Sequence, residues 1–133
     1  MSETLTHTQL VGTLVGWARE NIGNPPGLCV YCDSPTVLKT EKPPSIGGYF
    51  SDLYAITSPP SFTIVGEAKT IPDIDSGRTF NQILAFLRFL SSCPYPRLVL
   101  AMPWQAKATA KNIVRLARIQ ANAPDVPVVY LCN

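Results

Sequence analysis

Phe62-Thr63-Ile64-Val65-Gly66-Glu67-Ala68-Lys69-Thr70 reads as a central strand that ends in two charges. Through Gly66 it is apolar, β-branched or small at every position, the pattern of a strand covered on both faces. Glu67 and Lys69 then end a segment that otherwise avoids water, and strand alternation puts both on one face. Upstream, Tyr49–Thr57 alternates aromatic or apolar with polar residues and predicts a strand, joined to the first through the turn Ser58-Pro59-Pro60-Ser61. Leu28–Tyr31 predicts a short strand, and residues 33–47, rich in Pro, Lys, Thr and Ser, a loop or hairpin arm. Before these, Thr4 to Ile22 predicts a helix with Leu10, Leu14, Trp17 and Ala18 on one face and Gly23 at its end. Downstream, Thr79–Leu90 predicts a helix apolar almost all round, Arg97–Ala101 a second buried strand, residues 105–121 an amphipathic helix and Pro127–Leu131 a last strand. The expected order is αβββαβαβ: one α/β domain over residues 1–133, with a mixed central sheet flanked by helices.

Composition sets the outer bounds. At 133 residues and 46% hydrophobic, the chain is long enough for one core without a disulfide or metal staple. Only 15% of residues are charged, which excludes a disordered acidic or basic tail. There is no apolar run long enough to span a membrane. Leu10–Ala18 lacks a basic flank before it and is followed by Arg19 and Glu20, so it does not read as a signal peptide. A cytoplasmic location with reduced thiols is the expectation. Cys29 and Cys32 form a single C-x-x-C while Cys93 and Cys132 stand alone; a zinc site would show a second pair, so the four read as small buried hydrophobes.

The net charge of +2 conceals two opposed halves. Residues 1–76 hold eight acids and four bases, whereas residues 77–133 hold one acid and seven bases. That asymmetry points to an anionic partner. Lys107, Lys111, Arg115 and Arg118 fall within about 80° of one another on a helical wheel, with Ala106, Ala110, Ile113 and Ala117 opposite. A one-sided basic stripe suits a nucleic-acid backbone; a solvated outer face is the plainer alternative.

If the strands at 49–57 and 62–68 pair antiparallel, Asp52 meets Glu67 near one end. Neighbouring carboxylates repel, and a cation between them relieves the repulsion. Oxygen ligands favour Mg²⁺ or Mn²⁺. Lys69 would flank the ion and orient or deprotonate a water whose pKa the metal lowers.

Asp52 followed by Glu67-x-Lys69, on the second and third strands of such a core, resembles the PD-(D/E)xK nucleases. The resemblance covers roughly residues 10–101 and implies a restriction-endonuclease-like fold. By it, Asp52, Glu67 and the carbonyl of Ala68 bind metal, and Lys69 and Gln82 handle water and phosphate. Glu20, in Trp17-Ala18-Arg19-Glu20, stands where many members place an extra acidic ligand or orienting residue. The small size and acidic first helix are similar to Holliday-junction resolvases and small phage endonucleases. Two departures matter: Ser51 rather than proline precedes Asp52, and the literal pairs Pro72-Asp73 and Pro124-Asp125 are misplaced for the motif. Asp33 is the reserve ligand.

Each residue also has a bland alternative. Glu67 and Lys69 could be an exposed pair at a strand end, Asp52 a turn acid and Glu20 an acid on a solvated helix face. Gln82 stands three residues after Thr79, the spacing of a capping box. Arg78, one turn before Gln82, would approach the same phosphate. Thr70–Gly77, with Asp73 and Asp75, reads as a mobile loop or a solvated turn. His7, the only histidine, reads as inert, leaving no histidine-based nucleophile system. No P-loop is present. The expected function is a Mg²⁺- or Mn²⁺-dependent nuclease hydrolysing DNA phosphodiesters by metal-activated water. The alternative is a non-catalytic nucleic-acid-binding or assembly subunit on the same fold. A duplex-cutting enzyme of this size implies a homodimer, or a subunit of a larger complex, with no membrane partner.

Overall fold

The computed structural model describes residues 2–23, 25–32, 42–57 and 62–132, with backbone alone for residues 2–6. The reserve ligand Asp33, most of the expected loop at 33–47 and the expected turn at 58–61 lie outside the described residues.

The central strand is β5 (Thr63–Ala68), buried at all six positions. Helix α1 (Ser2–Asn21) precedes β1 (Cys29–Cys32), the two-residue strands β2 (Ser45–Ile46) and β3 (Tyr49–Phe50), and β4 (Leu53–Ile56). After β5 come a short helix α2 (Ile71–Ile74), α3 (Gly77–Leu90), β6 (Pro96–Met102), a 3₁₀ turn (Trp104–Ala106), α4 (Lys107–Ala121) and β7 (Val128–Cys132). Five strands form one mixed sheet in the order β1-β4-β5-β6-β7. β4 pairs antiparallel with both β1 and β5, with Leu53 opposite Gly66. β5, β6 and β7 run parallel, and α3 and α4 supply the crossovers that parallel strands require.

Both faces of the sheet are covered, which is why β5 shows no hydrophobic alternation. On one face Val65, Leu98, Leu100 and Met102 pack against Ile83, Phe86 and Leu87 of α3 and Ile113 and Val114 of α4. On the other, Leu10, Val11, Leu14 and Ala18 of α1 pack against Leu53, Ala55, Ile64, Val99 and Ala101. Gly66 lets α1 approach this closely: a Cβ there would stand 3.2 Å from Leu53 Cβ and 3.3 Å from Leu14 Cδ2.

Several expectations need correction. The strand expected over Tyr49–Thr57 is divided, because β3 turns back on β2 and leaves Ser51 and Asp52 outside both ladders. The cause lies in Gly47-Gly48, whose φ values of 59° and 87° make a tight two-residue hairpin turn. The segment Thr70–Gly77 is not a loose loop. Pro72 sits in the first turn of α2, Thr70 Oγ1 donates to Asp73 Oδ2 at 2.9 Å, and Thr79 Oγ1 donates to the Asp73 carbonyl at 2.6 Å. Of the four cysteines only Cys32 is fully buried; Cys29 is exposed, and Cys93 and Cys132 are half-buried. Three residues apart on a strand, Cys29 and Cys32 occupy opposite faces, so the C-x-x-C spacing brings no pair together.

Candidate active site

The antiparallel pairing of β4 with β5 sets the start of one strand beside the end of the other. Asp52, just before β4, therefore lies beside Glu67 and Ala68 at the end of β5. The Asp52 N–H donates to the Gly66 carbonyl at 3.0 Å and to Glu67 Oε1 at 3.2 Å. Its carboxylate in turn accepts the Ala68 N–H, 2.8 Å from Oδ2. These bonds clamp the two acidic residues to each other's backbone. Neither is a free surface acid: Glu67 is 4% exposed and the Asp52 side chain 15%.

Lys69 continues the alternation of β5 and turns its side chain to the same face as Glu67. Its Nζ stands 3.2 Å from Glu67 Oε2 and donates to Gln82 Oε1 at 2.5 Å. Gln82 is buried on α3 and does not cap the helix. That role belongs to Ser76, whose Oγ accepts the Thr79 N–H at 3.1 Å. The capping-box alternative for Gln82 thus gives way to an inward contact with Lys69.

From the opposite layer, His7 Nε2 of α1 stands 3.6 Å from Asp52 Oδ2. A row of groups results: His7, Asp52, Glu67, Lys69, Gln82. Burial first, and the Asp52 charge second, push the Glu67 carboxyl up to about 8, with Lys69 pulling the other way. Contact with the Asp52 carboxylate raises the His7 pKa, against an opposing contribution from partial burial. The site concentrates negative charge where water is largely excluded, so a proton or a cation is favoured there.

His7 is the functional candidate that sequence reasoning set aside. A signal for it existed: on a helical wheel His7 lies between Val11 and Leu14, in the middle of the face that becomes buried. The same wheel puts Glu20 about 140° away from His7, and 13 residues at 1.5 Å each place it roughly 20 Å further along the helix. Glu20 is exposed and is not brought to the cluster.

The basic stripe divides. Lys107 stands at the first turn of α4, on the side of the sheet where β5 and β6 end, and Lys111, Arg115 and Arg118 recede from it along the helix. Lys111 Nζ lies over the Tyr130 ring, 5.6 Å from its centroid, and Arg115 donates to Asn112 Oδ1 at 2.8 Å. Arg118 is half-buried, donates to the Val126 carbonyl at 2.7 Å and holds a buried Nε without a partner, so it serves the fold. Arg78 is exposed at the start of α3, one turn before Gln82, with its guanidinium 5.4 Å over the Tyr49 ring.

No known protein family, curated protein or solved structure matches this chain. Among the described residues no group of three or more His, Cys, Asp or Glu side chains is arranged to hold a metal ion. Two carboxylates beside a strand-end backbone nonetheless fit Mg²⁺, which takes one or two carboxylates and completes its shell with water and substrate phosphate. No helix among the described residues is long and apolar enough to cross a membrane.

Proposed function

We propose that the chain is a divalent-metal-dependent nuclease of the PD-(D/E)xK type that hydrolyses DNA phosphodiester bonds. The observation that carries this reading is the convergence of Asp52, Glu67 and Lys69 on one nearly dry strand end. Asp52 and Glu67 would hold Mg²⁺ or Mn²⁺, with the Ala68 carbonyl as a further oxygen donor. A bound ion lowers the pKa of its water and screens the phosphate charge. Lys69 Nζ has three protons, two of them directed to Glu67 and Gln82, so the third is available to a water or a phosphate oxygen. Gln82 sets where that ammonium stands, and His7 orients the Asp52 carboxylate. Water oxygen bonds to phosphorus as the bond to the leaving sugar oxygen breaks, one proton passing to a base and one to the leaving oxygen. Arg78 and Lys107 flank the site as phosphate contacts.

The test is cleavage of plasmid, single-stranded and branched DNA with Mg²⁺ or Mn²⁺. Lost proton-transfer catalysis typically costs about 10²–10⁴-fold, so Lys69→Ala is expected to lose nearly all turnover while retaining DNA binding. Unchanged cleavage in that variant would sink the assignment.

A second reading, a non-catalytic nucleic-acid-binding or assembly subunit, is favoured by one observation. Both Glu67 oxygens are already engaged by protein donors. Titration calorimetry with Mn²⁺ separates the two: the nuclease requires binding in the wild type that Glu67→Ala removes, whereas the subunit reading requires no metal binding at all.

A further inference from the structure

Seven large hydrophobic side chains are exposed among the described residues, and three of them lie two or three residues along the chain from backbone that forms the carboxylate cluster. Phe50, 61% exposed, comes two residues before Asp52. Ile71, 51% exposed, comes two residues after Lys69. Trp104, 67% exposed, follows three residues after Ala101, whose carbonyl accepts the Lys69 N–H at 3.0 Å. The helical turn carrying Ile71 packs on the 3₁₀ turn carrying Trp104. The fold makes little use of these rings: in the 3₁₀ turn the buried residue is Ala106, and β3 leaves Phe50 on its outer side. Phe50 precedes β4 and Trp104 follows β6, the two strands on either side of β5, which stand two strand spacings, about 10 Å, apart.

Nearby cations are few. Among the described residues, Lys69 is half-buried in the site and Arg78 and Lys107 are exposed on the elements that follow it, while Arg115 and Arg118 lie roughly 12–17 Å further along α4 at 1.5 Å per residue. Two exposed cations are a small share of what a protein making about 6–10 phosphate contacts presents to a duplex. Flat exposed rings beside a sparse set of cations suit bases that are already unstacked and unpaired.

We propose that the site accepts an unpaired DNA strand, whose bases stack on Phe50 and Trp104 on either side of the reacting phosphate. This rests on the nuclease reading for the reaction, but the binding it describes can be measured without turnover. One strand needs one site, so the proposal also removes the requirement for a dimer.

The test uses the full chain with Lys69→Ala to block turnover and Trp17→Phe to leave Trp104 as the sole tryptophan. Adding a 20-nucleotide oligothymidylate with Mg²⁺ is expected to quench Trp104 fluorescence. Removing one base-stacking ring corresponds to about 5- to 150-fold in Kd, so Trp104→Ala and Phe50→Ala, read by fluorescence anisotropy of a dye-labelled oligothymidylate, should each weaken binding within that range. Trp104→Phe should restore it, and a blunt duplex of equal length should bind more weakly and be indifferent to all three. Exposure of both rings means that the melting temperature should not move, which separates lost stacking from lost folding. Equal affinity for duplex and single strand, or an unchanged oligothymidylate Kd in Trp104→Ala and Phe50→Ala, overturns the proposal. Ring-dependent binding with no metal-dependent cleavage of the oligonucleotide by the wild type overturns the nuclease reading instead and supports the stacking site. Duplex cleavage as fast as single-strand cleavage, with Trp104→Ala unaffected, supports the nuclease and overturns the stacking site.

Discussion

Glu67 bears most of the electrostatic tension in the molecule. Its carboxyl is buried beside Asp52 and sits at about 8 instead of 4.5. Between those values the folded protein holds a proton that the unfolded chain has released. Stability from this group is therefore fully present below about pH 4.5, declines as pH rises, and is gone above about 8. At ~1.4 kcal/mol per pKa unit the effect is on the order of a few kcal/mol. In metal-free buffer, Glu67→Gln should be more stable than wild type at about pH 9 and nearly equal to it near pH 4.5, read by urea denaturation at both. His7 belongs to the same scale. Removing a group that orients a metal ligand costs roughly 10- to 100-fold in metal affinity or activity, so His7→Ala should weaken Mn²⁺ binding by that factor in a calorimetric titration. An unchanged affinity would return His7 to the inert role that its position near the N-terminus suggests.

At the scale of elements, the hairpin of β2 and β3 positions Asp52. Its turn docks on α3 at Gly47, where a Cβ would come 2.8 Å from Ala85 Cβ and where φ is +59°. Left-handed backbone alone costs a non-glycine residue about 1–2 kcal/mol, and the Ala85 contact adds to it. Gly47→Ala should lower the denaturation midpoint and, by shifting the residues ahead of Asp52, reduce cleavage as well. Loss of stability with full activity would show that Asp52 is held by its bonds to β5 alone. Ser76 is the other element-level device. It caps α3, and through α3 the placement of Gln82, so Ser76→Ala should cost about 1 kcal/mol. The hairpin turn was readable in Gly47-Gly48, yet Tyr49–Thr57 alternates well enough to pass for one strand. Alternation reports which side chains face inward; it does not report which partner the backbone pairs with.

For the whole molecule, the charge asymmetry between the two halves becomes a spatial one. Asp52 and Glu67 stand together at the strand ends, and the stripe on α4 runs away from them. Each phosphate contact contributes about one unit to the salt dependence of binding. Lys107→Ala is accordingly expected to reduce the slope of log Kd against log salt by about one. Arg118→Ala should leave the slope alone and lower the melting temperature, because its guanidinium is spent on the Val126 carbonyl. A slope change for Arg118→Ala equal to that for Lys107→Ala would show that the stripe binds as a unit.

The buried central strand, the helices that cross over it and the shared side of Glu67 and Lys69 were legible in the residues alone. Those depend on local periodicity: a strand apolar on both faces needs cover on both, and residues two apart on a strand share a side. Which distant groups join them depends on how the layers pack. His7 and Asp52 are 45 residues apart in the chain, Lys69 and Gln82 thirteen, and no local spacing encodes either contact. Their meeting depends on the direction in which α1 crosses the sheet and on the angle at which α3 leaves β5, and both are set by how the apolar faces of the layers fit together. The same fit carries Glu20 away from the site and brings His7 to it.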